Sequence, residues 1–315
     1  MKIRAEAWRY VNETGMACGW SKETGTYALA RVLNALAAED ADCMGAEAQI
    51  LIPPQADTTK AYAMETCIRR ICRARGIEQK DTRITKNPLY RVPVVMVNGI
   101  GRAPERNRPA QAGTAREPEA RGAVRSGADS GSEQGDRQIT GEEEIVLVKW
   151  IGMEGMLRIA EERESELEQR FAPVFMRQIK SYKEEIFAGV ELKIARAAGA
   201  AAVRQITEGG IFAALWELAK ETGAGFEADM KRMTVLQETI EVCEHFRLNP
   251  YQLTSTGSFL VLIQNGDYLA DILHKNQIEA SVIGRLTKGN GKIVRNGEDM
   301  RCLDRPSPDE IYKIF

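Results

Sequence analysis

Residues 102–140, RAPERNRPAQAGTAREPEARGAVRSGADSGSEQGDRQIT, constrain the fold of this 315-residue chain more than any other feature. Val124 and Ile139 are the large apolar side chains in that stretch; the rest is Gly, Pro, Ser, Ala and charge of both signs. Such a segment cannot bury enough apolar surface to offset the entropy of ordering it. It reads as a disordered linker or an expanded surface loop over 102–141, between one module at 1–101 and another at 142–310. Its seven arginines are diluted by six acidic residues, so a basic nucleic-acid arm is the weaker reading. The whole chain has the same balance, 43 Lys+Arg against 45 Asp+Glu, which argues against a dedicated nucleic-acid binder. No apolar run approaches the ~20 residues of a membrane span. The start, Met1-Lys2-Ile3-Arg4, lacks the apolar core of a signal peptide. Six scattered cysteines then read as reduced thiols in a cytoplasmic protein. With no CxxC and only His245 and His274, no metal site is expected, and both histidines read as surface or helix-terminal residues.

In the first module, apolar spacing predicts a helix over Thr26–Glu39 and a strand at Gln49–Ile52. A second helix runs from a Thr58 cap to about Arg75, and a strand over Arg91–Asn98 ends at Gly99 and Gly101, for an order α-β-α-β. In the second module, Glu144–Trp150 reads as a strand, Met153–Arg170 as a helix and Pro173–Phe187 as another. Ala197–Ile206 is β-capable, Ile211–Thr222 helical and Phe226–Met230 a strand. Thr234 caps a further helix. A strand (Ser258–Gln264), a helix (Asp267–Lys275), a strand (Ala280–Leu286) and a hairpin around Asn296-Gly297 follow. Short helices mixed with hairpin signals favour an α+β, mixed α/β domain over a doubly wound sheet.

Three places carry candidate chemistry. Thr207-Glu208-Gly209-Gly210 lies between a strand and a helix, where backbone N–H groups and the helix dipole can hold an anion; a plain tight turn is the alternative. Glu154, flanked by Gly152 and Gly155, either stabilises a helix N-terminus or faces a domain cleft. Leu253-Thr254-Ser255-Thr256-Gly257-Ser258 can bind phosphate or satisfy its own turn. No GxxxxGK[ST] and no complete GxGxxG occur, and Ser258 has no histidine at a triad spacing.

Four segments, taken together, resemble the PurM-like superfamily of AIR synthase, selenophosphate synthetase, thiamine-monophosphate kinase and hydrogenase maturation protein E. They are VKWIGMEGMLRIAEERESELEQRF (Val148–Phe171), ITEGGIFAALWELAKETGAGFEADM (Ile206–Met230), TVLQETIEVCEHFRLNPYQLTSTGSFLVLI (Thr234–Ile263) and SVIGRLTKGN (Ser281–Asn290). The likeness is strongest to hydrogenase maturation factors and AIR synthase-related proteins, and it covers nearly all of 142–310. It implies an α/β N-terminal domain packed on an α+β C-terminal domain, N-domains paired in a homodimer, and ATP phosphates with Mg²⁺ in the adjoining cleft. Thr207, Glu208, Gly209, Gly210, Glu154 and Asn34 are the positions this resemblance assigns to that cleft.

The first module departs from the pattern. The family's Asn-Asp pair is Asn34-Ala35 here, its Gly-Ala is Asp40-Ala41 and its Pro is Cys43. Its Gly-Gly-His-Thr-Glu appears as Gln79-Lys80-Asp81-Thr82-Arg83, and the Asp two residues before Thr207 is Gln205. The Gly-rich upstream loop is expected to be missing, which shortens the N-terminal domain. Mg²⁺ needs hard oxygen ligands, so only a rearranged set drawn from Asp40, Asp42 and Asp81 could replace the lost carboxylates. The chain ends at Ile314-Phe315 without the family's carbamoyl-accepting Cys. The expectation is a PurM-like protein with a degraded ATP/Mg²⁺ site and a binding or assembly role, with another maturation protein as a partner. An active ATP-dependent enzyme is the alternative.

Overall fold

Residues 8–104 and 139–315 are described by the structure, a computed structural model; apart from its ends, the expected linker at 102–141 lies outside the described residues. The first module runs β1 (Trp8–Cys18), α1 (Thr24–Ala38), β2 (Asp42–Ile52), α2 (Thr58–Ala74), β3 (Glu78–Lys86) and β4 (Val94–Pro104). Its sheet has the order β1-β4-β2-β3, with β3 parallel to β2 and the other pairs antiparallel. This corrects the α-β-α-β expectation. Both strands that the sequence hides, β1 and β3, are sheet edges, and their polar, half-exposed residues give little apolar signal. Strand β4 also runs on through Gly99 and Gly101 rather than ending there. Glycine is needed inside both strands under α1: a Cβ on Gly99 of β4 would lie 2.3 Å from Val32, and one on Gly15 of β1 would lie 2.3 Å from the Ala28 carbonyl. The missing side chains let α1 lie close against β1 and β4. Asp57, not Thr58, caps α2, accepting from the Thr59 N–H at 2.9 Å.

The second module is built on a seven-stranded mixed sheet of order β11-β10-β7-β9-β5-β8-β6. These strands are β5 (Glu144–Val148), β6 (Ala202–Gln205), β7 (Gly225–Asp229), β8 (Phe259–Ile263), β9 (Ala280–Thr287), β10 (Lys292–Asn296) and β11 (Asp299–Cys302). Central β5 and β8 are continuous apolar runs because both faces are covered. Ile145 and Leu147 pack with α7 (Gly210–Thr222) in one cluster. Val146 and Val148 pack with α6 (Gly189–Ala197) and α9 (Gly266–Lys275) in the other. Four more helices, α3 (Met153–Glu162), α4 (Glu164–Arg170), α5 (Pro173–Ser181) and α8 (Gln237–Phe246), turn toward the first module. Met153, Met156, Ile159, Ile179 and Val242 share one apolar cluster with Tyr27, Val32, Ile50 and Ile68. The two modules are therefore joined by a common core.

Three expectations are corrected here. The 153–170 helix is two helices that meet at Arg163, whose φ of −120° breaks the helical path. Of the β-capable Ala197–Ile206 stretch, only Ala202–Gln205 is strand, and α6 precedes it. Thr234 does not cap α8: Leu236 is the N-cap, and the Thr234 hydroxyl donates to the Lys149 carbonyl at 3.0 Å.

Candidate functional site

Arg31 is the one charged residue in α1, TGTYALARVLNALAA, and it is only 5% exposed. The close seating of α1 on β1 carries its guanidinium across the inter-module boundary. Its Nη2 meets the Glu154 carboxylate at 3.1 and 3.3 Å and donates to Thr254 Oγ1 at 2.9 Å. Its Nε donates to Thr256 Oγ1 at 3.1 Å, and Nη1 serves both Glu208 and the Met16 carbonyl.

Glu154 is fully buried in the first turn of α3. A lone carboxylate there would carry a desolvation penalty of several kcal/mol, so it needs counter-charge and donors. It has both. Besides Arg31, Arg158 Nη1 lies 3.2 Å away one helical turn on, the Thr254 hydroxyl donates at 2.6 Å and the Thr256 N–H at 3.0 Å. Burial works against its charge, but Arg31 and Arg158 together with these donors bring its pKa down to about 2. Glu154 thus serves an inter-module ion cluster, the second of its two sequence readings, rather than capping its own helix. Arg158 also ties β1 to α3, donating to the Cys18 carbonyl at 2.7 Å.

The turn Thr207–Gly210 sits beside this cluster. Gly209 and Gly210 have φ of +78° and +64°, left-handed values that a β-carbon would strain. The Gly209 N–H does hold an anion, but an internal one: Asp309 Oδ2 accepts from it at 2.7 Å. Asp309 Oδ1 also accepts from Ile311 N–H at 2.8 Å and Thr254 N–H at 3.4 Å. Burial pushes the Asp309 pKa up to about 6, against the pull of these N–H donors. Gly210 N–H bonds the Thr207 carbonyl at 3.1 Å, closing the tight turn. Glu208 is 40% exposed and reaches Arg31.

The hydroxyl turn 254–258 is committed to the interior. Thr254 and Thr256 complete the ion cluster, Ser255 Oγ accepts from Gly152 N–H at 2.6 Å, and Ser258 Oγ donates to the Trp150 carbonyl at 2.7 Å. Asn34 does not join the cleft. Its Nδ2 donates to the Ile186 carbonyl at 2.7 Å and its Oδ1 accepts from Ala188 N–H at 2.9 Å, which pins α1 to the second module. The structure thus brings Glu154, Thr207, Glu208, Gly209 and Gly210 together around Arg31 and leaves Asn34 outside.

A cavity of about 300 Å³ opens over the cluster, lined by Arg31 and Ala35 of α1, Glu13 and Thr14 of β1, and Gln205 and Glu208 of the second module. Ala35 and Gln205 stand where the resemblance places carboxylates. Asp40, Asp42 and Asp81 are exposed and none lines this cavity. Among the described residues no three His, Cys, Asp or Glu side chains are grouped to hold a metal ion.

Sequence reasoning missed Arg31, Arg158 and Asp309. A lone arginine in an otherwise apolar helix was the available signal for the first, and the Glu154–Arg158 spacing of four for the second. Nothing in Ser307-Pro308-Asp309 marks the third.

Residues 142–296 match the family model described as AIR synthase related protein, C-terminal domain. No curated protein matches the sequence. Among solved structures, the hydrogenase maturation protein HypE of E. coli is 16% identical, with a TM-score of 0.68 over 98% of this chain and 89% of that one. A structure of the HypE–HypF complex is 15% identical, with a TM-score of 0.63 over 95% of this chain and 90% of that one. AaThiL complexed with AMPPCP and TMP is 14% identical, with a TM-score of 0.60 over 93% and 86%. At these identities the likeness is one of fold, and the fold is the PurM-like mixed α/β architecture.

Proposed function

We propose, for a chain whose residues 142–296 match the AIR synthase related C-terminal domain and whose fold is PurM-like, a binding or assembly role in which an internal ion cluster stands in place of the ATP/Mg²⁺ centre. The observation that carries this reading is the position of Arg31, a buried guanidinium paired with both Glu154 and Glu208. Mg²⁺ is a small, hard cation that needs oxygen ligands free to turn toward it. Glu154 is already enclosed by two guanidiniums and two donors, and Asp309 is spent on backbone N–H groups. A metal ion at Glu154 would have to displace two buried guanidiniums, Arg31 and Arg158, from its carboxylate, so these residues do not fit Mg²⁺. Nucleotide is the ligand class carried over from the AMPPCP-bound structure, here with Arg31 as the resident cation.

The assembly half of the reading draws on two further features. Trp8, Tyr10 and Met16 on β1, Met44 on β2 and Ile100 on β4 are exposed, Tyr10 by 65%. An apolar sheet surface of this kind supports a homodimer through the first module. The HypE–HypF complex supports a second maturation protein as partner. All six cysteines are free thiols, in keeping with work in the reducing cytoplasm.

Calorimetric titration with ATP, with and without Mg²⁺, tests the first half. The expected result is heats that do not depend on Mg²⁺ and no ADP release; Mg²⁺-dependent binding with ADP release overturns it. Light scattering tests the second half: a dimer is expected, converted to monomer by Tyr10→Asp, and a monomeric wild type refutes it.

A further inference from the structure

We propose that the groove between α2 and β3, on the outer edge of the first module, docks an acidic, extended segment of a partner protein. This inference does not depend on the reading of the cleft. Strand β3 pairs with β2 alone, so its outer backbone N–H and C=O groups have no strand partner among the described residues. Edges of this kind are templates for an added strand.

Beside the edge lies a groove of about 730 Å³, floored by buried Cys72 and Ile77. Its charged rim is Glu65, Arg69 and Arg73 from α2, and Lys80, Asp81 and Arg83 from β3. Glu65 is taken by Arg69 at 2.5 Å. Arg73, Lys80 and Arg83 form no ion pair among the described residues. In a chain of net charge −2, this edge is a local excess of free cations. Gln79 adds an orientation signal. Its Nε2 donates to Thr82 Oγ1 at 3.0 Å, while its Oε1 is buried with no donor. A buried acceptor without a donor is destabilising, and an incoming peptide N–H would satisfy it.

The groove's own chemistry separates the occupants. A second copy docking edge to edge would bring the same cations face to face, which the charge pattern opposes. Single-stranded nucleic acid relies on aromatic platforms for its bases, and no aromatic side chain lines this groove. A strand rich in Glu or Asp supplies carboxylates to Arg73, Lys80 and Arg83 and backbone N–H groups to the edge and to Gln79.

The test uses the full chain and a fluorescein-labelled ten-residue peptide of alternating Glu and Thr, read by polarisation at low and physiological salt. Saturable binding that weakens with salt is expected, along with slowed amide exchange across residues 78–86. The double variant Arg73→Glu/Arg83→Glu, both positions exposed and outside the core, should weaken binding at least about tenfold with unchanged circular dichroism. Any of three results overturns the proposal: peptide affinity that the double variant leaves unchanged, an oligothymidylate that binds as tightly as the acidic peptide, or self-association through this edge that the double variant abolishes.

Discussion

Replacing Glu154 with Gln should destabilise this protein by removing the charge at the centre of its buried ion cluster. The amide keeps the size of the side chain and one acceptor oxygen for Thr254 and Thr256, so the perturbation is the loss of charge. In the native state the two guanidiniums of Arg31 and Arg158 are each only 5% exposed, and Glu154 neutralises them from their midst. Its pKa falls from 4.5 to about 2, and at ~1.4 kcal/mol per unit this is about 3 kcal/mol of stability. Removing one partner of a buried pair costs ~3–5 kcal/mol in general, the same order. Urea unfolding at neutral pH of Glu154→Gln, Arg31→Met and the double variant would measure it. Each single variant should lose about 3 kcal/mol, and the double variant less than the sum by ~1–3 kcal/mol. The sign with pH follows from a depressed pKa: the contribution is present above 4.5 and is lost as pH falls toward about 2. The gap between wild type and Glu154→Gln should therefore close through that acid window. A single-variant loss under about 0.5 kcal/mol, or strict additivity, refutes the account of the cluster.

Asp309 has the opposite sign. Its pKa rises from 3.8 to about 6 in the fold, so its contribution is full below 3.8 and is lost as pH climbs to 6. Wild-type stability should drop by up to about 3 kcal/mol across that window relative to Asp309→Asn, measured by unfolding at a series of pH values. Asn34→Ala should cost about 2–4 kcal/mol by orphaning the Ile186 carbonyl and the Ala188 N–H, while leaving ATP titration heats unchanged. Altered heats at unchanged stability would return Asn34 to the cleft.

What was legible in the sequence follows from where the physics is local. Helix α1 and helix α7 declare themselves through apolar spacing, and β5 and β8 through unbroken apolar runs, because burial on one stripe or on two faces leaves a periodic mark. Strands β1 and β3 leave none: they are held by pairing to a neighbour, and their outward residues are free to be polar. The turn Thr207–Gly210 was visible because two left-handed positions require glycine. Its occupant was not, because Asp309 lies 100 residues further on. The same holds for Glu154, whose local context suggested a helix cap while its decisive partner sits 123 residues upstream. Gln205 and Ala35 drew notice in the sequence through the family resemblance, yet only the assembled fold reveals the guanidinium beside them.

The guanidinium of Arg31 also has a consequence in time. Its partners Glu154, Glu208 and Thr256 lie 123, 177 and 225 residues later in the chain. While the polypeptide is being synthesised, the first module can form its helices and sheet, but it must keep Arg31 in water, because burying it would strand a charge. Closure of the shared core over α1 therefore waits on the second module. Long-range closure of this kind slows folding, and it makes a completed second half the condition for hiding the first half's apolar face. A ribosome-stalled or truncated product would carry that face exposed, marking it for chaperones and proteases before it could be mistaken for finished protein.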